Sequence, residues 1–277
     1  MHIGVDIGGS KILVVAGTSG HAILRQAKIK TPESGKAGMA EIIRMIEEVA
    51  GNDVIRAIAI ATASPIDRKK GRILESAPNM HGWRGTELVK PIKERFSVPI
   101  YLENDAAAAA LTESHIGAGR NHPYVLYVTI STGIGTALVI NGQPYRGGAG
   151  SLEAGHMIID PNGPQCGCGG RGHFEAMVAG PAIRKRYGKY GYEITDPEIW
   201  DEIAGFIALG FYNLIHAYAP SVIVIGGGVG VHYEKFHPFL VKHLEKLHPL
   251  YPIPPIVPAK HIETAVGYGA LILASQL

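Results

Sequence analysis

Ile3-Gly4-Val5-Asp6-Ile7-Gly8-Gly9-Ser10-Lys11-Ile12-Leu13-Val14-Val15 sets an apolar strand, a turn of small residues and a second apolar strand in a row. Apolar runs broken by a glycine turn read as a hairpin. The same pattern returns far downstream, where Val128-Thr129-Ile130-Ser131-Thr132-Gly133 precedes an apolar run from Thr136 to Ile140. The two copies lie far apart and each opens a new run of strands and helices. They predict an α/β protein of duplicated, two-lobe architecture.

The segments between these hairpins fit that class. Helical spacing runs from Ala40 to Ala50, with Ile42, Ile43, Ile46 and Val49 on the apolar side. Ala57 to Ala61 and Ile100 to Leu102 read as short buried strands, and a helix is expected from Ala106, directly after Asp105. Thr86 to Phe96 predicts a helix in which Pro91 would cost a hydrogen bond. Trp200 to Tyr218 predicts a long helix, and Val222 to Ile225 a strand that runs into Gly226-Gly227-Gly228-Val229-Gly230. The segment Ala265 to Leu277 predicts a closing helix that packs back on the first lobe.

With 46% hydrophobic and 18% charged residues, the chain is rich enough in apolar side chains to order a core. Its formal charge of +2 comes without a basic run interleaved with aromatics, so no nucleic-acid partner is expected. No apolar run is long enough to span a bilayer, and Met1 to Val5 reads as a strand rather than a secretion leader. A cytoplasmic protein is the expectation.

Turns of Gly, Ser and Thr leave backbone N–H groups free for phosphate oxygens. Three follow apolar strands here: Gly8 to Ser10, Ser131 to Gly135 and Gly226 to Gly230. One alone is only a turn; three point to a nucleotide. No Walker-type loop is present, and Gly226-x-Gly228 fits a dinucleotide fingerprint poorly. Asp6 lies within an apolar strand, where its charge needs a partner; Mg²⁺ beside phosphate would be one, an Asx-turn or local ion pair another. Glu103-Asn104-Asp105 ends a strand before a helix. Asp105 can be the N-cap, the base of a phosphoryl transfer, or both. Asn79, Asn104, Glu153, His156 and Glu175 are candidate sugar ligands, because amides and carboxylates meet adjacent hydroxyls in pairs.

His156, Cys166, Cys168 and His173 offer two imidazoles and two thiolates, a complete tetrahedral Zn²⁺ set. Four ligands leave no open position, so the expected role is structural: holding the loop that carries Glu153 and Glu175.

Taken together, Asp6-Ile7-Gly8-Gly9-Ser10-Lys11, Glu103-Asn104-Asp105, Glu153-Ala154-Gly155-His156, Cys166-Gly167-Cys168-Gly169-Gly170-Arg171-Gly172-His173-Phe174-Glu175 and Gly226-Gly227-Gly228-Val229 resemble the ROK family of sugar kinases. The resemblance covers nearly the whole chain, in order. It implies the actin-like, ribonuclease H-like duplicated fold with a cleft between its lobes: a small lobe of residues 1–117 with 264–277, and a large lobe of 118–263 bearing the zinc loop. It implies transfer of the ATP γ-phosphate to a hexose 6-hydroxyl, with Asp105 as base. Ser64, Asn79, Asn104, Glu153, His156 and Glu175 would surround the sugar. Asp6, Gly8, Gly9, Ser10, Lys11, Thr132 and Gly133 would face the phosphates and Mg²⁺, and Gly227 and Gly228 the adenosine. His156 would meet zinc through one ring nitrogen and sugar through the other. A homodimer is also implied.

Three positions depart from the family pattern. His173 stands where the family has a third zinc cysteine, Ala63-Ser64-Pro65 where it usually has Pro-Gly, and little sequence lies between Glu175 and Trp200. Glucose is the first expectation as substrate, with mannose, fructose or glucosamine as further substrates of a broad hexose specificity, and N-acetylglucosamine or N-acetylmannosamine as the alternative. Three other classes compete. A sugar-sensing repressor would need a helix-turn-helix ahead of Ile3, for which there is no room. A nicotinamide-dependent oxidoreductase would rest on Gly226 to Gly230 alone, and a noncatalytic sugar-binding protein would leave Asp105 and the three turns unexplained.

Overall fold

The computed structural model describes residues 1–18, 22–77, 80–148 and 151–277. The chain forms two compact units, Met1–Thr112 with Glu263–Leu277, and Glu113–Ile262. The first holds β1 (His2–Ile7), β2 (Lys11–Gly17), β3 (Ile23–Lys30), α1 (Gly35–Ala50), β4 (Ala57–Thr62), β5 (Ile66–Asp67), β6 (Arg72–Ile73), α2 (Val89–Phe96) and β7 (Ile100–Asn104). It also contains most of α3 (Asp105–His115). The second holds β8 (Tyr124–Ile130), β9 (Ile134–Ile140), β10 (Gln143–Tyr145), α4 (Phe174–Val178), α5 (Gly180–Tyr187), α6 (Pro197–Tyr218), β11 (Val222–Gly226), α7 (Gly227–Gly230), α8 (Tyr233–Lys246) and β12 (Ile256–Pro258). The chain then returns to the first unit as α9 (Ala265–Ser275).

The two sheets repeat one topology. The first runs β3-β2-β1-β4-β7 and the second β10-β9-β8-β11-β12. In each, an antiparallel hairpin (β1–β2, β8–β9) is followed by two parallel strands (β4 and β7, β11 and β12). The likeness between the two glycine hairpins is therefore a likeness between whole sheets, as in the actin-like fold.

Both faces of the first sheet are covered, which is why β1, β2 and β4 are apolar almost throughout. Ile3, Val5, Ile7, Ile12 and Val14 pack with Ile42 and Ile46 of α1. On the other face, Leu13 and Val15 meet Leu271 of α9. A Cβ on Gly269 would fall 1.8 Å from the Ala108 carbonyl oxygen, so only glycine lets α9 lie this close to α3. In the second unit, Leu126, Val128 and Ile130 of β8 join Ile203, Ile207, Phe211 and Leu214 of α6 and Phe236 and Leu240 of α8.

The helix expected from Thr86 begins at Val89, so Pro91 is its third residue. Its missing N–H is among those a first turn leaves unbonded anyway, and no helical bond is lost. The chain passes between the units twice, and each passage is fastened to the other. The Thr112 hydroxyl donates to the Ala265 carbonyl at 2.5 Å. The fully buried Glu113 carboxylate accepts the N–H groups of Ala118, Lys260 and His261 at 2.7, 3.1 and 2.7 Å. Among the described residues, no helix is long and apolar enough to cross a membrane.

Candidate active site

In the first unit, strands β1, β4 and β7 run parallel, and Ile7, Thr62 and Asn104 lie in register at their carboxyl ends. Ligands of open α/β sheets bind at such ends. The turn after β1 is braced from outside: the Gly8 N–H donates to the Lys11 carbonyl at 3.0 Å, and the Thr31 hydroxyl donates to the Gly8 carbonyl at 2.6 Å. Gly9 and Ser10 stay exposed. The Lys11 ammonium donates to the Glu263 carbonyl at 3.3 Å.

Asp6 is only 6% exposed. Burial pushes its carboxyl from 3.8 up to about 7; the negative charge of Asp105 adds to the rise, and Lys11 partly opposes it. Asp6 and Asp105 thus feel one another, as two carboxylates sharing a site do. Asp105 is the first residue of α3. The Ala106 N–H donates to both the Asn104 and the Asp105 side chains, at 2.9 and 2.7 Å. Asn104, the residue before the helix, therefore fills the N-cap role that the sequence offered to Asp105.

Sequence reasoning missed Arg68. It forms an ion pair with Glu103, whose carboxylate is fully buried and also accepts the Asn104 N–H at 2.9 Å. The turn between β5 and β6 is thereby tied to the strand end that carries Asn104 and Asp105. An acid inside the apolar strand of residues 100–104 was the available signal, because such an acid needs a cation. Ser64 is fully buried, and its hydroxyl has no partner among the described residues. A sugar hydroxyl would satisfy it. Asn79 lies outside the described residues.

In the second unit the other two glycine turns come together, because β8 and β11 are parallel neighbours. Gly227 has φ +85°, and a Cβ there would lie 2.4 Å from the Ile130 carbonyl oxygen. A Cβ on Gly228 would lie 3.6 Å from the Ser131 hydroxyl. Glu175, on α4, reaches the same place: its carboxylate accepts the Ile134 N–H at 2.9 Å, and a Cβ on Gly133 would come within 2.5 Å of it. Its other oxygen lies 3.7 Å from Cys166 Sγ. Glu175 thus joins the turn after β8 to the cysteine loop. Glu153 is exposed, and its carboxylate accepts the Ser151 hydroxyl at 2.9 Å. The turn holding Ala154, Gly155 and His156 is anchored on β9, where the Ala154 N–H donates to the buried Thr136 hydroxyl at 3.2 Å.

His156, Cys166, Cys168 and His173 bring one ligand atom each within 4.8 Å of one another. His156 Nδ1 lies 3.8 Å from Cys166 Sγ, and His173 Nδ1 lies 3.3 Å from Cys168 Sγ. A zinc tetrahedron with bonds of about 2.0 to 2.3 Å has edges of about 3.3 to 3.8 Å. The residues fit that ion. Burial pushes the Cys166 thiol up to about 11, so a thiolate there requires a cation beside it. With both Nδ1 atoms turned to sulfur, His156 keeps Nε2 for another partner.

Residues 2–277 match the family described as ROK. The chain belongs to the ROK family. A ROK relative from Thermotoga maritima, "Glucokinase", is 32% identical over 82% of this chain and 81% of its own. The "Xylose repressor" of Bacillus spizizenii is 33% identical over 82% of this chain, which spans 64% of that longer protein. Among solved structures, a ROK family glucokinase from Streptomyces griseus in complex with glucose and AMPPNP superposes with a TM-score of 0.84 at 28% identity, covering 100% of this chain and 99% of that one.

Proposed function

We propose that this ROK protein is an ATP-dependent hexokinase that transfers the γ-phosphate to the 6-hydroxyl of a hexose, glucose first. The observation that carries this reading is the pair Asp6 and Asp105. Two carboxylates stand at the ends of parallel strands, close enough that one raises the pKa of the other. Asp105 accepts the proton of the sugar hydroxyl as it attacks. Asn104, Asn79 and the buried hydroxyl of Ser64 orient the sugar with Glu153, Glu175 and His156 Nε2. Gly8, Gly9 and Ser10 offer backbone N–H groups to phosphate, as do Thr132 and Gly133, with Lys11 as a nearby cation. Gly227 and Gly228 leave room for the adenosine. Mg²⁺, when bound with the triphosphate, supplies the positive charge that offsets the phosphates, and Asp6 is the carboxylate poised to hold it. Zn²⁺ on His156, Cys166, Cys168 and His173 fixes the loop and takes no part in the transfer.

The glucokinase relative and the glucose–AMPPNP complex support this substrate pair. ATP as donor makes the cytoplasm the working compartment, and a homodimer is the proposed assembly. A coupled ADP-release assay with Mg-ATP against hexoses and N-acetylhexosamines tests the reading. Release with glucose above all other sugars is expected. Release only with an N-acetylhexosamine moves the substrate to that class. Silence with every sugar from folded, zinc-loaded protein overturns the kinase and favours a sugar-sensing role.

A further inference from the structure

Thr31, directly after β3, grips the turn after β1 at two points. Its hydroxyl donates to the Gly8 carbonyl at 2.6 Å, and its N–H donates to the Ser10 carbonyl at 3.1 Å. The next residue, Pro32, offers its carbonyl to the Trp83 indole N–H at 2.9 Å. Trp83 closes a single 3₁₀ turn, His81–Trp83, and is 1% exposed. Its ring lies so close to α1 that a Cβ on Gly38 would come within 2.0 Å of it. A Cβ on Gly82 would fall 1.9 Å from the Glu33 carbonyl oxygen, so the loop after β6 is fitted to the chain after β3 a second time. The same loop also meets the glycine turn directly: a Cβ on Gly9 would stand 3.9 Å from Met80 Cγ, an ordinary contact distance. Met80 holds φ +54°, a left-handed conformation that a methionine keeps only where its surroundings impose it. Trp83 is part of those surroundings, since its backbone N–H donates to the Met80 carbonyl at 2.7 Å.

The other end of the loop reaches the candidate sugar ligands. Arg84 Nε donates to the Ala77 carbonyl at 2.8 Å, and the Ala77 N–H to the Leu74 carbonyl at 3.2 Å. The Leu74 N–H donates in turn to the Pro65 carbonyl at 3.0 Å, beside the buried Ser64. Asn79 falls between Ala77 and Met80 in the chain. A series of bonds thus joins Gly8 and Ser10 to the neighbour of Ser64, and the bond from Trp83 to Pro32 is its middle link.

We propose that Thr31 and Trp83 are positioning residues that join the phosphate turn and the sugar loop into one body, so that sugar and nucleotide raise one another's affinity. The names of the two ends rest on the kinase reading above, whereas the link between them rests on the bonds themselves. Because the ends share one set of contacts, a ligand that fixes either end leaves less freedom to be lost at the other. By linkage the gain is the same in both directions.

Two measurements on the full-length protein test this. Calorimetric titration of Mg-AMPPNP with and without saturating glucose reads the coupling. Hydrogen exchange of unliganded protein reads the link. In the wild type, glucose is expected to tighten AMPPNP by roughly fivefold or more. Trp83→Phe keeps a ring on Gly38 and removes the N–H; Thr31→Val removes the hydroxyl. Each should cut the coupling below about twofold, and Thr31→Ser, which keeps the hydroxyl, should retain it. The two act in series, so the double variant should lose no more than either alone. Without ligand, Trp83→Phe should speed exchange at the Gly8 amide, and Thr31→Val at the Thr86 amide, by about threefold or more. Lys242→Ala, an exposed charge on α8, is the control for both readouts. A merely structural role would lower Tm and leave the coupling and the distant amides unchanged, and that result overturns the proposal. So does a wild type whose AMPPNP affinity is the same with and without glucose, or faster exchange confined to the side of the substitution. Exchange that spreads to the far end in a protein binding neither glucose nor AMPPNP supports the link, and in that case only the kinase reading falls.

Discussion

At the scale of single residues, two aspartates carry the chemistry and make different predictions. Asp105→Asn keeps the shape and the hydrogen bond to Ala106 but cannot take a proton. It should bind sugar and ATP normally and lose about 10²- to 10⁴-fold in kcat. A kcat near wild type would remove Asp105 as the base. Asp6 makes a prediction about stability. Its carboxyl titrates near 7 when folded and near 3.8 otherwise. Between those values the unfolded chain has already released the proton that the folded chain still holds, so stability falls as pH rises from about 4 to about 7. At pH 8 the buried charge costs at most about 4 kcal/mol, at 1.36 kcal/mol per tenfold change. Asp6→Asn should therefore raise the Tm of unliganded protein at pH 8, by roughly 5 °C or more, and leave it little changed near pH 4. A Tm gain that does not depend on pH would show that the burial cost lies elsewhere. Both aspartates were legible as sequence, because each is an acid attached to an apolar strand. Their mutual influence was not, since residues 6 and 105 meet only when β1 and β7 flank β4. Arg68 shows the same limit. Nothing in its neighbourhood of the chain names Glu103 as its partner.

At the scale of elements, the cysteine loop is the sharpest case. The spacing of His156, Cys166, Cys168 and His173 was readable, and the loop does gather all four. What spacing could not give was the role of Glu175 as a strut between that loop and the Ile134 N–H. Loss of metal should therefore be felt beyond the loop. One zinc per chain is expected from metal analysis of desalted protein. Its removal by a chelator should lower Tm and raise the sugar KM together, with recovery on adding Zn²⁺ back. A metal-free protein with unchanged Tm and KM would refute the site. The capping of α3 is a smaller lesson of the same kind: adjacent Asn104 and Asp105 both offer a capping oxygen, and only the start of the helix decides between them.

At the scale of the whole molecule, the repeated glycine hairpin was enough to foresee a repeated sheet. The edge strands β3 and β10 went unread. Most of β3 faces solvent, so its sequence lacks the apolar run that marked β1 and β8. The fastening of Thr112 and Glu113 to residues 260, 261 and 265 was equally invisible, because its partners lie more than half the chain away. Removing residues 265–277 should expose Leu13 and Val15, leaving the first unit open to protease while the second stays resistant. Equal digestion of both units would mean that they are not separate in stability.

That double fastening also sets an order of events during synthesis. The second unit is an uninterrupted stretch of chain held inside the first like a parenthesis, and all its strands are synthesised before α9. The first unit must wait with one face of its sheet uncovered until the last helix arrives. During that interval its apolar strands are the part of the newborn chain most in need of a chaperone.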